Sequence, residues 1–272
     1  MLSITTDYLR DVGSPEPYLR RIAEAGFSHV HWCHHWDDDF LYANAEIEQI
    51  GRWLDEFGLK LNDLHASAGH EKRWASLVEY KRQAGVELVR NRIEMTSSLG
   101  GDVIILHMPA APSEESDRQR CWDVLHRSLD ALQPIAHQHG VRIALENLTN
   151  GNFPTIHQLL SEYPADFLGV CYDSGHGNIT GDGLDQLEPV RDRLISLHLH
   201  DNDGAGDDHQ PLFTATVDWP RLARIIAQSP YTKMVSLEVQ MHHSGFDDEM
   251  AFLTFARDGG ERFARMIEDA RG

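Results

Sequence analysis

The 272-residue chain sets 24 lysines and arginines against 43 aspartates and glutamates, a formal net charge of −19. That field repels polyanions and disfavours sequence-independent nucleic-acid binding, which depends on basic groups neutralising phosphates. With 41% hydrophobic and 25% charged residues the composition is that of an ordinary water-soluble fold, and no apolar run approaches membrane-spanning length.

Strand-like and helix-like segments alternate along the whole chain. Expected strands lie at 2–5, 28–32, 59–65, 102–107, 141–146, 167–173, 194–200 and 233–239. Between and after them fall helical patterns near 15–25, 44–57, 71–99, 115–139, 155–162, 183–192, 218–228 and 247–270. Gly26, Gly58 and Gly140 each follow a periodic run, where a left-handed residue closes a helix. Pro15, Pro154 and Pro220 sit near helix starts, where a missing N–H does little harm. Eight strand–helix units in this length predict one (β/α)8 TIM barrel spanning 1–272. A doubly wound open sheet is the alternative, but the first turn, TTDYLRDVGSPE, lacks a Gly-rich nucleotide fingerprint. The N-terminus, MLSITTDYLRD, has neither the basic start nor the apolar middle of a signal peptide. Cys33, Cys121 and Cys171 show no CxxC spacing, so reduced thiols and a cytoplasmic location are expected.

A parallel strand buried on both faces should be apolar throughout. Here the strands end instead in His65, His107, Glu146, Asp173, His198 and Glu238, within runs such as ALEN, GVCYDSGH, SLHLHDND and VSLEV. In a barrel those ends share one mouth. His176, Asp207 and His209 follow in the adjoining loops. Taken singly, each has a plainer reading. A strand-end His can be a hydrogen-bonded structural residue, Asp173 can cap a helix, Asn147 can stabilise a turn, and HDND can form an Asx-rich turn. Together, carboxylates gathered at one rim repel one another, and a divalent cation removes the conflict. Mixed oxygen and imidazole donors suit Mn²⁺, Zn²⁺, Fe²⁺ or Co²⁺ better than Ca²⁺, with Mg²⁺ left open. Cys171 shares a strand face with Asp173 but lies deeper, and reads as core.

At these residues the chain resembles the xylose-isomerase-like TIM-barrel superfamily, which groups sugar isomerases and epimerases with apurinic DNA endonucleases. The likeness spans nearly the whole chain and is most specific at ALEN, VCYDSGH, LHLHDNDG with Asp201, DDHQPL and SLEV. It implies one cation held by Glu146, Asp173, His198 and Glu238, as in the epimerases. In the endonuclease branch, residues matching His65, His107, His176, Asp207 and His209 also hold metal, to a total of three zinc ions. One departure stands out: HQPLFTATVDW (209–219) keeps Pro211, Asp218 and Trp219 but lacks the glycines of the family's Pro-Gly-x-Gly stretch, which predicts a stiffer, bulkier loop.

The resemblance therefore implies a metal-dependent isomerase or epimerase. Lewis-acid polarisation of neighbouring substrate oxygens would stabilise an enediolate while Glu146 and Glu238 move the proton. The expected partner is a small-molecule sugar or polyol, with no nucleic acid and no membrane; a homo-oligomer is left open. Trp32, Trp36 and Trp74 are either sugar platforms or packing residues, and His34, in HWCHHWDDD, either lines the pocket or belongs to a solvated loop. Three alternatives remain: a multi-zinc phosphoesterase resembling the apurinic endonucleases, a dehydratase on the same enolising site, and a silent barrel that only binds.

Overall fold

The computed structural model describes residues 1–10, 13–109 and 115–272. Its eight strands are all parallel and run in the order β7-β6-β5-β4-β3-β2-β1-β8. They are β1 (Leu2–Thr5), β2 (His29–Trp32), β3 (Lys60–His65), β4 (Val103–His107), β5 (Arg142–Glu146), β6 (Leu168–Asp173), β7 (Leu194–His198) and β8 (Val235–Leu237). The ring closes where Leu199 bridges to Leu237: Leu199 N–H donates to Ser236 O and Glu238 N–H to Leu199 O, both at 3.0 Å. The expected (β/α)8 barrel is what forms.

Helices α1 (Glu16–Glu24), α2 (Asn44–Phe57), α3 (Glu79–Ser98), α4 (Glu115–His139) and α5 (Phe153–Glu162) follow the first five strands. After β6 come α6 (Ser174–Thr180) and α7 (Gly183–Leu187), then α8 (Trp219–Ala227) and α9 (Glu249–Arg271) after β7 and β8. Each helix buries one stripe against the ring. In α2 the buried Ile47, Ile50 and Leu54 recur at helical spacing, while Glu48, Arg52 and Asp55 face water. Gly26, Gly58 and Gly140 all take positive φ (91°, 68° and 65°) where α1, α2 and α4 end. Asp218 caps α8, its carboxylate accepting from Arg221 N–H at 3.0 Å, with Pro220 in the first turn. Among the described residues no helix is long and apolar enough to cross a membrane.

Two expectations need correction. The helix predicted over 71–99 starts only at Glu79. The backbone N–H groups of His70, Glu71 and Lys72 donate instead to the Asp39 carboxylate, and residues 72–74 cross over α3 at Gly85, where a Cβ would lie 2.3 Å from Trp74 N. Helix α6 was not anticipated; its two glycines make it a poor helix former, and it is launched by Asp173. The bulky loop after β7 does adopt strained backbone, with Phe213 at φ 68°. Its ring is held between Trp219 (centroids 5.3 Å apart) and the Arg262 guanidinium (3.8 Å).

The barrel interior is divided. Towards β4–β7 it is filled by Val103, Ile105, Ala144, Cys171 and Ile195. Towards β1–β3 and β7–β8 it is polar, with Ser3, Thr5, His31, Asp63, Ser196 and Ser236 buried. Above both halves lies the mouth formed by the C-terminal strand ends.

Candidate metal centre

Strand register sets the first pairs: His107 on β4 lies beside Glu146 on β5, and Asp173 on β6 beside His198 on β7. Glu146 is the hub. Its Oε2 is 3.1 Å from His107 Nε2 and 3.6 Å from His65 Nε2, and those two nitrogens are 3.1 Å apart. Its Oε1 is 3.3 Å from His198 Nδ1 and 3.4 Å from His176 Nδ1. On β8's side, Glu238 Oε2 reaches the same His198 Nδ1 at 3.0 Å. Asp207 Oδ2 completes the outer edge, 3.1 Å from His176 Nε2 and 3.5 Å from His209 Nε2. The nine residues selected from the sequence thus form one continuous cluster.

Asp173 has two jobs, one per oxygen. Oδ1 caps α6 by accepting from His176 N–H at 2.7 Å. Oδ2 is buried without a hydrogen-bond partner. Glu146 Oε2 and both ring nitrogens of His198 and of His200 are likewise buried and unpartnered, because their short contacts are out of line for hydrogen bonds. Buried polar atoms left unpaired at this density are costly unless something receives them, and a cation that displaces the imidazole protons would. Among the groups of described residues that could hold a cation here are His65, His107 and Glu146; Asp173, His176 and His200; and His200, His209 and Glu238. Two imidazole-rich edges meeting at shared carboxylates fit Zn²⁺, Mn²⁺, Fe²⁺ or Co²⁺.

The electrostatics agree with that fit. Burial would raise the Glu146 carboxyl, but His198 and His107 hold it well below the usual carboxylate range. Glu238 behaves alike, with burial opposed by His198 and His209. Burial also works against charge on His176 and His198, yet the surrounding carboxylates, Asp173 for the one and Glu238 and Glu146 for the other, help push both well above the ordinary imidazole range. For His209 the balance of burial against Asp207 and Glu238 ends at about 10. Without metal His176, His198 and His209 are therefore biased towards protonated forms that a cation would displace, whereas burial pushes His107 the other way.

The cluster is braced from behind. Asn152 Nδ2 donates to Glu146 O and Leu148 N–H donates to Asn152 Oδ1, both at 2.8 Å. His176 Nδ1 donates to Asn147 O at 2.9 Å, and His209 Nδ1 to Glu238 O at 2.8 Å. Asp201 anchors the loop after β7, accepting from Ala215 N–H (3.0 Å), Val217 N–H (3.1 Å) and Trp219 Nε1 (3.1 Å). Asn202 and Asp203 make Asx turns, the plainer reading of HDND, accepting from Gly204 and Ala205 N–H.

A cleft of about 580 Å³ opens beside His107, lined by Trp36, Trp74, Met108 and Leu148, with Arg73 also on its wall. Trp36 covers the His65 and His107 rings, at centroid distances of 4.7 and 5.1 Å. Trp32 is core, its Nε1 donating to Tyr42 Oη. His34 lines a different cavity, bounded by Trp32, Tyr42 and α2 residues, and its Nε2 meets Gly13 O at 3.2 Å. It does not join Trp36 at the cleft, because the chain between them turns over His35 at φ 56°.

Sequence reasoning passed over His200, His31 and Asp63. His200 Nε2 is 3.1 Å from Asp173 Oδ1, and its ring stacks on His209 at 4.1 Å. Gly175 makes that position accessible, since a Cβ there would fall 1.9 Å from His200 Cε1. Strand alternation held the signal: His200 lies two residues after His198, and Asp63 two before His65.

Residues 19–255 match the family described as xylose isomerase-like TIM barrel. The uncharacterized protein y4fM of Sinorhizobium fredii is 34% identical, over 93% of this chain and 89% of that protein. An inosose dehydratase of Salmonella typhimurium is 25% identical, over 72% of this chain and 66% of that protein. Among solved structures, a D-tagatose 3-epimerase-like protein superimposes with a TM-score of 0.81 at 18% identity, covering 100% of this chain and 99% of its own.

Proposed function

The chain belongs to the xylose isomerase-like TIM-barrel family, and from that premise we propose that it is a divalent-metal-dependent sugar isomerase or epimerase. The observation that carries this reading is that a buried carboxylate, Glu146 on β5, and a partly buried one, Glu238 beyond β8, approach one nitrogen, His198 Nδ1, at 3.3 and 3.0 Å. With Asp173 Oδ2 they form the four-residue set for the cation. A bound Zn²⁺ or Mn²⁺ would supply Lewis-acid polarisation of adjacent carbonyl and hydroxyl oxygens of the substrate.

The residues do the rest. Both glutamates are held ionised at neutral pH, so either is ready to accept a carbon-bound proton. One carboxylate takes the proton from the carbon next to the carbonyl and the C–H electron pair moves into an enediolate; the other carboxylate, after picking up a proton from solvent, delivers it to the opposite face or the neighbouring carbon, and the first releases its proton to solvent. His176 and His209 orient hydroxyls. The cleft beside Trp36 and Trp74 suits a small sugar or polyol, with the indoles excluding water. The likeness to a D-tagatose 3-epimerase-like protein supports a ketose substrate.

The likeness to an inosose dehydratase favours a second reading, dehydration of a cyclic keto-polyol, which starts with the same proton abstraction and then expels a β-hydroxyl as water. Incubation in D₂O with a panel of ketoses and inososes separates these outcomes by NMR. Metal-dependent deuterium uptake with a new epimer supports the first reading; loss of water supports the second. Cleavage of an abasic-site oligonucleotide without any sugar exchange would replace both with phosphoester hydrolysis.

A further inference from the structure

Below the four-residue set, one buried histidine takes no part in the chemistry just described. His31 projects from β2 into the barrel interior and is fully buried, as is Asp63 on β3. Its Nδ1 donates to Asp63 Oδ1 at 2.7 Å. The other Asp63 oxygen accepts from Asn62 Nδ2 at 2.9 Å and from the Ser196 hydroxyl. This carboxylate is therefore saturated and fixed, and it fixes the ring in turn, leaving the lone pair on Nε2.

That Nε2 has no hydrogen-bond partner. The centroid of its ring is 4.4 Å from that of His198, and one ligand atom from each of His31, His198 and Glu238 lies within 4.8 Å of the others. A carboxylate donating no proton and an imidazole offering a lone pair cannot satisfy each other. A cation that displaces the His198 proton would receive the lone pairs of all three residues. A carboxylate behind an imidazole whose far nitrogen points into a donor cluster is also the usual support for a metal-binding histidine.

The geometry points to a second, inner divalent-cation position on the floor of the mouth, held by His31 Nε2, His198 and Glu238 and backed by Asp63. It rests on the metal-dependent reading, because His198 and Glu238 also belong to the outer set; with both positions filled, Glu238 would give each cation one oxygen and His198, deprotonated to an imidazolate, one nitrogen. The donor set, two imidazoles and a carboxylate, selects Zn²⁺, Co²⁺ or Cd²⁺ over Ca²⁺. A cation here would also hold Glu238 in place from below.

The test uses ¹¹³Cd²⁺ and ¹⁵N-histidine-labelled full-length protein. Equilibrium dialysis counts bound cadmium, and NMR reads ¹¹³Cd–¹⁵N coupling at His31. The expected result is a coupled signal at His31 Nε2 that disappears in His31→Gln, with one fewer cadmium bound and the remainder retained. Asp63→Asn should weaken that one position by about 10–100-fold. An unchanged count in His31→Gln, with no coupling in the wild type, overturns the inner position while leaving the outer set standing. No cadmium bound anywhere overturns the inner position and the proposed function together. Circular dichroism on both variants confirms that the barrel is intact.

Discussion

Asn147 extends the β5–β6 ladder with its side chain: Nδ2 donates to Asp173 O at 2.9 Å, and Oδ1 accepts from Asp173 N–H at 2.8 Å. The residue that follows the Glu146 strand end thereby sets the position of Asp173 on the next strand. Removing the amide in Asn147→Ala leaves two buried backbone groups unpaired, each costing on the order of 1–3 kcal/mol. Urea unfolding should register that loss, and metal affinity should fall by about 10–100-fold. A variant with wild-type stability and affinity would show that this brace is dispensable.

Glu146→Gln and Glu238→Gln each keep the shape of the side chain and remove its basicity. Turnover should fall by about 10²–10⁴-fold or more in either variant, measured as deuterium uptake into the best ketose. Circular dichroism should be unchanged. Retained exchange in one of them would reassign the proton transfer to another group.

Asp201 ties three donors of the 215–219 segment to the strand end. In Asp201→Ala these lose their acceptor, and the loop carrying Asp207 and His209 loosens. Limited proteolysis should find new cuts between residues 203 and 217, and KM should rise more than kcat falls. A protease-resistant loop would contradict the anchoring role.

The metal-free protein should show a specific pH signature. Burial disfavours the charged ring of His209, but Asp207 and Glu238 outweigh it and raise its pKa from 6.5 to about 10. A raised folded pKa stabilises the protein fully below the unfolded value and loses that contribution as pH rises through the folded one. The stability difference between wild type and His209→Gln should therefore shrink from pH 6.5 towards pH 10 in chelator-treated samples. A difference independent of pH would mean that His209 is not protonated there.

Most of the barrel was readable because parallel strands announce themselves as apolar runs, and carboxylates or imidazoles at their ends break the rule visibly. His65, His107, Glu146, Asp173, His198 and Glu238 stood out at strand ends for that reason, His176, Asp207 and His209 followed in the adjoining loops, and the family resemblance sorted them into candidate ligand sets. Two of the failures came from partners distant in sequence and one from a local cap. Residues 71–78 carry a helix-compatible pattern, but the N–H groups of residues 70–72 are captured by Asp39, about thirty residues away. Helix α6 depends on the Asp173 cap rather than on propensity. His31 looked like one polar residue in a short strand until Asp63, from the next strand, gave it a fixed orientation.

Anomalous scattering from crystals grown with Mn²⁺ tests the central claim most directly. The account predicts a manganese peak in contact with Glu146, Asp173, His198 and Glu238 together, at coordination distances of roughly 2.0–2.3 Å. A map in which these four side chains share no ion, in protein that nonetheless catalyses sugar exchange, would contradict it.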